Sequence, residues 1–230
     1  MATNIVILAA GVGSRLGRAA PKPLTPIGGG ESIIERAVRS LQHRFAKHSI
    51  HLVVGYKKEL IMEVVPDVGF IYNQDYGDTN TSKSLLKALD ILGPGGVLWL
   101  NGDVVFDDQV IDLLLPHLAM DRSFLCVNTS KVSEEEVKYT LDDAGRVQQL
   151  SKVVEEGALG EAIGINYISA SDRVHLTRRL EQCAPTDYFE RGIEQAIDMD
   201  GIHVEPLDIS HLPIIEVDFL EDLAAANQMF

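Results

Sequence analysis

The sequence predicts an α/β fold: a Rossmann-like, mostly parallel twisted sheet with helices on both faces and a small antiparallel lid. Three observations predict it. The chain opens on an apolar run, Ile5 to Ala9, that does not alternate with polar residues, as a strand covered on both faces does not. Strand-like and helix-like stretches then alternate with short connections, the pattern of a parallel sheet with right-handed crossovers. From Ser133 the pattern changes to a hairpin. Lys138 to Leu141 and Arg146 to Ser151 flank an Asp142-Asp143-Ala144-Gly145 turn.

Each element has its own signal. Ser32 and Glu35 have the spacing of a capping box, and the helix after them carries Ile33, Ile34, Ala37, Val38 and Leu41 on one face. Ile50 to Val54 reads as a second strand, Lys58 to Val65 as a short helix and Gly69 to Tyr72 as a third strand. The polar stretch Asn73 to Ser84 leads into a helix bearing Leu85, Leu86, Leu89 and Leu92, with Thr81 or Ser82 expected to cap it and Asn80 able to do something similar. Gly96 to Asn101 is a buried strand, and Asp107 and Asp108 start the helix behind it. Ser123 to Asn128 and Ile163 to Ser169 read as strands, and 172 to 183 and 187 to 200 as packing helices. A last helix carries Leu220, Leu223 and Ala224, with Asp218 and Glu221 at the spacing of an N-cap box.

At 230 residues the chain is expected to be a single domain, 1–230, with an antiparallel subregion at about 133–169. The net charge of −14 disfavours general nucleic-acid binding, which needs a basic surface. Yet the first 60 residues hold nine Lys/Arg against three Asp/Glu, which agrees with a local anion pocket. No apolar run has the length of a membrane helix, and the first run has no basic segment before it, so no membrane partner and no signal peptide are expected. Cys126 and Cys183 have no metal-like spacing and read as reduced thiols of a cytoplasmic protein. A homo-oligomer is left open.

The chemistry-bearing stretch follows the first strand. Gly11 and Gly13 open a loop carrying Arg15 and Lys22, then Pro21, Pro23 and Pro26. A Rossmann G-x-G-x-x-G turn is excluded because the third glycine, Gly17, comes one residue late and the prolines forbid a helix over 20–26. A Walker A sequence is absent. What remains is an open basic loop whose backbone N–H groups and fixed cations suit a phosphate chain. Asp103 ends a central strand, where α/β ligands bind, and its hard oxygens suit Mg²⁺. Asn80, Thr81, Ser82 and Ser84 offer short donors and acceptors to the edge of a base. Glu155, Glu156 and Glu161 are open to reading as a solvated acidic loop, but a carboxylate at Glu161 would suit a cationic head group.

LAAGVGSRL followed by PKPL resembles the signature loop, G-x-G-[ST]-R-[LM] then P-K-P-[LM], of nucleotidyltransferases that join a nucleoside triphosphate to a sugar 1-phosphate or related ester. The Asn-Thr-Ser-x-Ser-Leu run at 80–85 is similar to that of phosphocholine and 2-aminoethylphosphonate cytidylyltransferases. The resemblance implies a nucleotide-diphospho-sugar transferase-like fold and Mg²⁺-dependent transfer of a nucleotidyl group, from CTP, to a small phosphate or phosphonate. It further implies Leu8, Ala10, Gly11, Gly13, Asn80, Thr81, Ser82 and Asp103 around the nucleotide. Arg15 would meet the leaving phosphates and Lys22 the α-phosphate. Asp103 and Asp218, the latter in an EVD-x-x-ED segment, would hold Mg²⁺, and Lys152 with Glu161 would meet the acceptor. A sugar-1-phosphate uridylyl- or guanylyltransferase is the alternative. An inactive nucleotide-binding regulator is disfavoured by the intact Arg15, Lys22, Asp103 and Asp218, and a nicotinamide-dependent oxidoreductase by the glycine spacing and the prolines.

Overall fold

A computed structural model describes residues 3–17, 19–130, 136–154 and 156–230. Residues 133–135, the start of the expected antiparallel subregion, and Glu155 lie outside them. The elements in order are β1 (Asn4–Ala9), β2 (Pro26–Ile27), β3 (Glu31–Ser32), α1 (Ile33–Gln42), β4 (Ile50–Val54), α2 (Lys58–Val64), β5 (Gly69–Tyr72), α3 (Thr81–Ile91) and β6 (Val97–Asn101). Then follow β7 (Val104–Phe106), α4 (Asp108–Ala119), β8 (Phe124–Asn128), β9 (Lys138–Leu141), β10 (Val147–Ser151) and β11 (Gly160–Ile168). The last are α5 (Arg173–Gln182), α6 (Phe189–Asp200), β12 (Glu205–Asp208), β13 (Ile214–Glu216) and α7 (Leu220–Met229).

The central block is parallel. β1 pairs with β4 on one side and β6 on the other, and β5 extends the block beyond β4. Side chains of β1 alternate between two cores, as a strand buried on both faces requires. Ile5, Ile7 and Ala9 pack with Ile34 and Leu41 of α1, Ile61 of α2 and Ile111 and Leu114 of α4. Val6 and Leu8 face Leu85 and Leu89 of α3, Leu176 and Leu180 of α5 and Phe189 and Ile193 of α6. So helices cover both faces, as the unbroken apolar strands predict.

The antiparallel part is continuous with this sheet. β11 runs against β8 along one edge and against β9 and then β6 along the other. β10 and β12 add the outer edges. The expected lid is therefore an extension of the main sheet, giving nine strands among the described residues.

Local signals explain most boundaries. Ser32 and Glu35 form the capping box, with Glu35 Oε2 accepting from Ser32 N at 2.8 Å. The loop holds two 3-10 turns, Ser14–Leu16 and Lys22–Leu24, and no longer helix forms across the prolines. Two expected caps are corrected. Asn80, not Thr81 or Ser82, caps α3, its Oδ1 accepting from Thr81 N at 2.8 Å. Phe219 is the N-cap position of α7, and Asp222 Oδ2 accepts from Phe219 N at 2.7 Å and Asp218 N at 3.0 Å. The Asp218–Glu221 box does not form, because the Asp218 side chain is drawn to Lys22 instead.

Candidate active site

A cavity of about 240 Å³ opens at the carboxyl ends of β1 and β6. This is the edge where parallel strands deliver their loops together. Many separate stretches of the chain meet there, among them the glycine loop, the end of β6 and the segment after β13.

The glycine loop leaves β1 and folds back on itself. Gly13 has φ +62°, and a Cβ there would stand 2.5 Å from Lys22 Cβ. Only glycine lets the two ends of the loop pack so closely. Gly102 is equally constrained. Its N–H donates to Leu8 O at 2.9 Å, and a Cβ would come within 2.7 Å of that oxygen. This seats Asp103 directly beside the end of β1.

Asp218 arrives by a short ladder. β13 pairs antiparallel with β7, with Ile214, Ile215 and Glu216 opposite Phe106, Val105 and Val104. Val217 N then donates to Asp103 O at 3.0 Å. The backbone of the second aspartate is thus zipped to that of the first.

Lys22 stands between the two carboxylates. Its Nζ donates to Asp103 Oδ2 at 2.7 Å and to Asp218 Oδ1 at 2.8 Å. Burial opposes its charge, but the attraction and hydrogen bonds of Asp103 and Asp218 outweigh it, and the lysine pKa is held above its ordinary value. Arg15 adds a looser contact, 3.5 Å from the same Asp218 oxygen, and its side chain is about half exposed. The other oxygen of Asp103, Oδ1, is buried with no hydrogen-bond partner among the described residues.

The rest of the lining is rich in acids. Glu136, Glu190 and Glu216 stand in it with Lys152 and Tyr188, and the Lys152 ammonium sits 5.1 Å from the centre of the Tyr188 ring. Glu216 Oε1 accepts from Gly164 N at 2.9 Å and from Asn101 Nδ2 at 3.4 Å. A side chain at Gly164 would collide with both partners. Burial first, then repulsion from Asp103 and Glu136, pushes the Glu216 carboxyl well above the usual range. Burial lifts Glu136 too, with Asp218 and Glu161 adding to it. Glu190 is pushed up to about 7, chiefly by burial, and its Oε2 has no hydrogen-bond partner among the described residues.

Of the residues singled out by sequence, the cavity brings together Leu8, Gly11, Gly13, Arg15, Lys22, Thr81, Asp103, Lys152 and Asp218. It does not collect Ala10, Asn80, Ser82 or Glu161. Ala10 is buried, and its carbonyl accepts from Tyr56 N at 3.0 Å. The Asn80 side chain is taken up by the α3 cap and by a bond to Thr186 O at 3.2 Å. Ser82 is fully buried. Glu161 is buried in β11, paired in register with Asn128 and Lys138, because the strand begins three residues earlier than the apolar pattern implied. Its charge contributes to the raised pKa of Glu136 in the cavity lining. Sequence reasoning missed Glu136, Glu190 and Glu216. Glu216 had a signal, its place beside Asp218 at the end of a β-branched pair, Ile214-Ile215.

Comparison with known proteins gives the same picture. The model of the MobA-like NTP transferase domain matches residues 5–163. A 2-aminoethylphosphonate cytidylyltransferase of Lancefieldella rimae is 30% identical, over 97% of this chain and 91% of its own. Among solved structures, the CTP:phosphocholine cytidylyltransferase of Streptococcus pneumoniae superposes with a TM-score of 0.80 at 19% identity, covering 100% of this chain and 99% of that one. The inositol-1-phosphate CTP transferase of T. maritima superposes with a TM-score of 0.79 at 18% identity, covering 100% and 94%.

Proposed function

The chain belongs to the MobA-like NTP transferase family, and we propose that within it the protein is a cytidylyltransferase that joins CMP, from CTP, to a small phosphonate or phosphate bearing a cationic amine, 2-aminoethylphosphonate being the first candidate. An oxygen of the acceptor attacks the α-phosphorus in line. The bond from that phosphorus to the bridging oxygen breaks, and pyrophosphate leaves. The acceptor is already ionised near neutral pH, so no general base is required. Positioning and charge neutralisation carry the reaction.

The chain's own groups divide that work. The backbone of Gly11 and Gly13 cradles the phosphates. Arg15, exposed at the mouth of the cavity, meets the leaving phosphates. Lys22, the buried cation, meets the α-phosphate, where negative charge gathers in the transition state. Lys152 meets the acceptor's own phosphate or phosphonate group.

The phosphate end also fits Mg²⁺. Two carboxylates converge on one point, 2.7 and 2.8 Å from the lysine nitrogen, and Asp103 holds a further buried oxygen without a partner. One or two carboxylates with substrate phosphates are the usual Mg²⁺ donor set. Asp103 and Asp218 would hold the ion, which when bound supplies neutralisation of the phosphate charge.

One observation carries the acceptor. The lining around Lys152 holds two carboxylates, Glu136 and Glu190, and one Glu190 oxygen has no hydrogen-bond partner among the described residues. Burial favours their neutral forms, and when both are ionised one negative charge is left in excess of the lysine. A bound ammonium compensates it, and a neutral polyol does not. The similarity to a 2-aminoethylphosphonate cytidylyltransferase supports the same acceptor and the choice of CTP.

The test is a matrix of four nucleoside triphosphates against 2-aminoethylphosphonate, phosphocholine, inositol 1-phosphate and sugar 1-phosphates, read by pyrophosphate release. CTP with the two cationic acceptors is expected to give the highest kcat/KM. Highest turnover with UTP or GTP and a sugar 1-phosphate would overturn the proposal.

A further inference from the structure

α6 begins without a cap of its own. Its N-cap position is Tyr188, which makes no side-chain capping bond. The first N–H groups of a helix find no partner within it. That of Phe189 is answered from another helix: it donates to Thr81 Oγ1 at 3.2 Å. Three more bonds join the same two segments. Asn80 N donates to Pro185 O at 2.8 Å, Asn80 Nδ2 to Thr186 O at 3.2 Å and Ser82 N to Asp187 O at 3.4 Å. The start of α3 therefore grips the connection that leads into α6.

That connection leads to the acceptor end of the cavity. Phe189 is buried, edge-on to Trp99 with ring centres 5.5 Å apart. On either side of this anchor, Tyr188 and Glu190 line the cavity. The core fixes the Phe189 ring and Thr81 fixes its amide. Together they determine where Tyr188 and Glu190 stand.

We propose that Thr81, assisted by Asn80, is a positioning residue for the acceptor, capping α6 in trans and so setting Tyr188 and Glu190. This rests on the acceptor assignment above. It also gives the Asn80–Ser82 run a different role from base reading. The Asn80 side-chain oxygen and nitrogen each make a bond within the protein, Ser82 is buried and does not line the cavity, and the Thr81 oxygen accepts from Phe189 N while its own O–H stays free to donate.

Thr81→Val keeps the shape and removes the accepting oxygen, whereas Thr81→Ser keeps the oxygen. The measurements are KM for CTP and for 2-aminoethylphosphonate, and amide hydrogen exchange across residues 185–191. For Thr81→Val the acceptor KM is expected to rise about five- to tenfold, the scale of one lost cap, with KM for CTP within about twofold. Exchange at the Phe189 amide accelerates, and Thr81→Ser restores both. Asn80→Asp keeps the α3 cap but loses the donor to Thr186, and gives the same split at about threefold. A rise in KM for CTP with the acceptor KM unchanged overturns the proposal and returns Thr81 to the nucleotide. Unchanged exchange across 185–191 overturns the clamp whatever the substrate. The exchange arm stays decisive if 2-aminoethylphosphonate is not turned over, an outcome that would sink the acceptor assignment and leave the clamp to be judged on exchange alone.

Discussion

The two ends of the cavity are built on opposite electrostatic plans. At the phosphate end, Arg15 and Lys22 balance Asp103 and Asp218 charge for charge, and the contacts are already made. Around Lys152, two carboxylates, Glu136 and Glu190, share one lysine, and one Glu190 oxygen has no partner among the described residues. On the proposed reaction, the first end stands ready, with a cation where charge would develop. The second is relieved by protonation or by a ligand that brings positive charge. Variants at the two ends should therefore fail differently. Losses at the phosphate end fall on turnover and metal use, and losses at the acceptor end fall on the acceptor KM and its pH dependence.

The largest effect is expected at Lys22. Removing one preorganised donor at a developing charge costs about 10²–10³ in kcat, and Lys22→Ala should lose that much with its circular dichroism unchanged. Turnover within a few-fold of wild type would remove Lys22 from the reaction. Next comes Asp103→Asn. Even outer partners of a metal ligand cost about tenfold or more in metal affinity, so the Mg²⁺ concentration for half-maximal activity should rise at least that far. An unchanged Mg²⁺ titration would make Asp103 a turn residue and leave the phosphate end to its two cations.

The phosphate end was also the legible one. Gly11, Gly13 and Asp103 sit just after strands whose apolar runs announce them, Lys22 is marked by the prolines on either side of it, and the glycines carry backbone constraints visible as spacing. The parallel block and the Ser32–Glu35 box were legible for the same reason: local sequence determines them. The ladder between β7 and β13 was not. Each strand has three residues, too short for a period, and their partners lie far apart in the chain. Yet that ladder is what brings Asp218 to Asp103. The acid-rich lining was illegible because its acids come from a loop, a helix start and a strand end that only tertiary structure assembles. Glu161 was misplaced for the converse reason, an acidic residue inside a buried strand reading as loop.

The acceptor end gives the intermediate effect. With the Glu190 carboxyl pushed up to about 7, the group gains its charge, and its hold on an ammonium, as pH rises through that value. The ratio of acceptor KM between Glu190→Gln and wild type cancels the acceptor's own titration. It should climb to about fivefold at pH 8 and approach one below pH 6, as expected for a partly screened ion pair. A ratio flat with pH would mean Glu190 does not face the ammonium. Stability should move the other way. The folded pKa lies above the ordinary 4.5, so the protonated group is tolerated below that value and the fold loses stability as pH rises through about 7. Glu190→Gln should therefore melt higher than wild type at pH 8 and equal to it near pH 4.

The smallest effect separates placement of a residue from its charge. Asp222 holds Asp218 by its backbone: Asp222 Oδ2 accepts from the N–H groups of both Asp218 and Phe219, at 3.0 and 2.7 Å. Asp222→Ala removes that cap, worth about 1 kcal/mol, and should lower Tm by roughly 2–4 °C for a chain of this size. If the cap also aims Asp218, the Mg²⁺ midpoint should rise by about threefold while the acceptor KM stays constant, and Asp222→Asn, which keeps an accepting oxygen, should recover most of both. A shifted acceptor KM would mean the two ends are coupled through α7, and the division between a balanced end and an acid-rich end would then have to be redrawn as a single network.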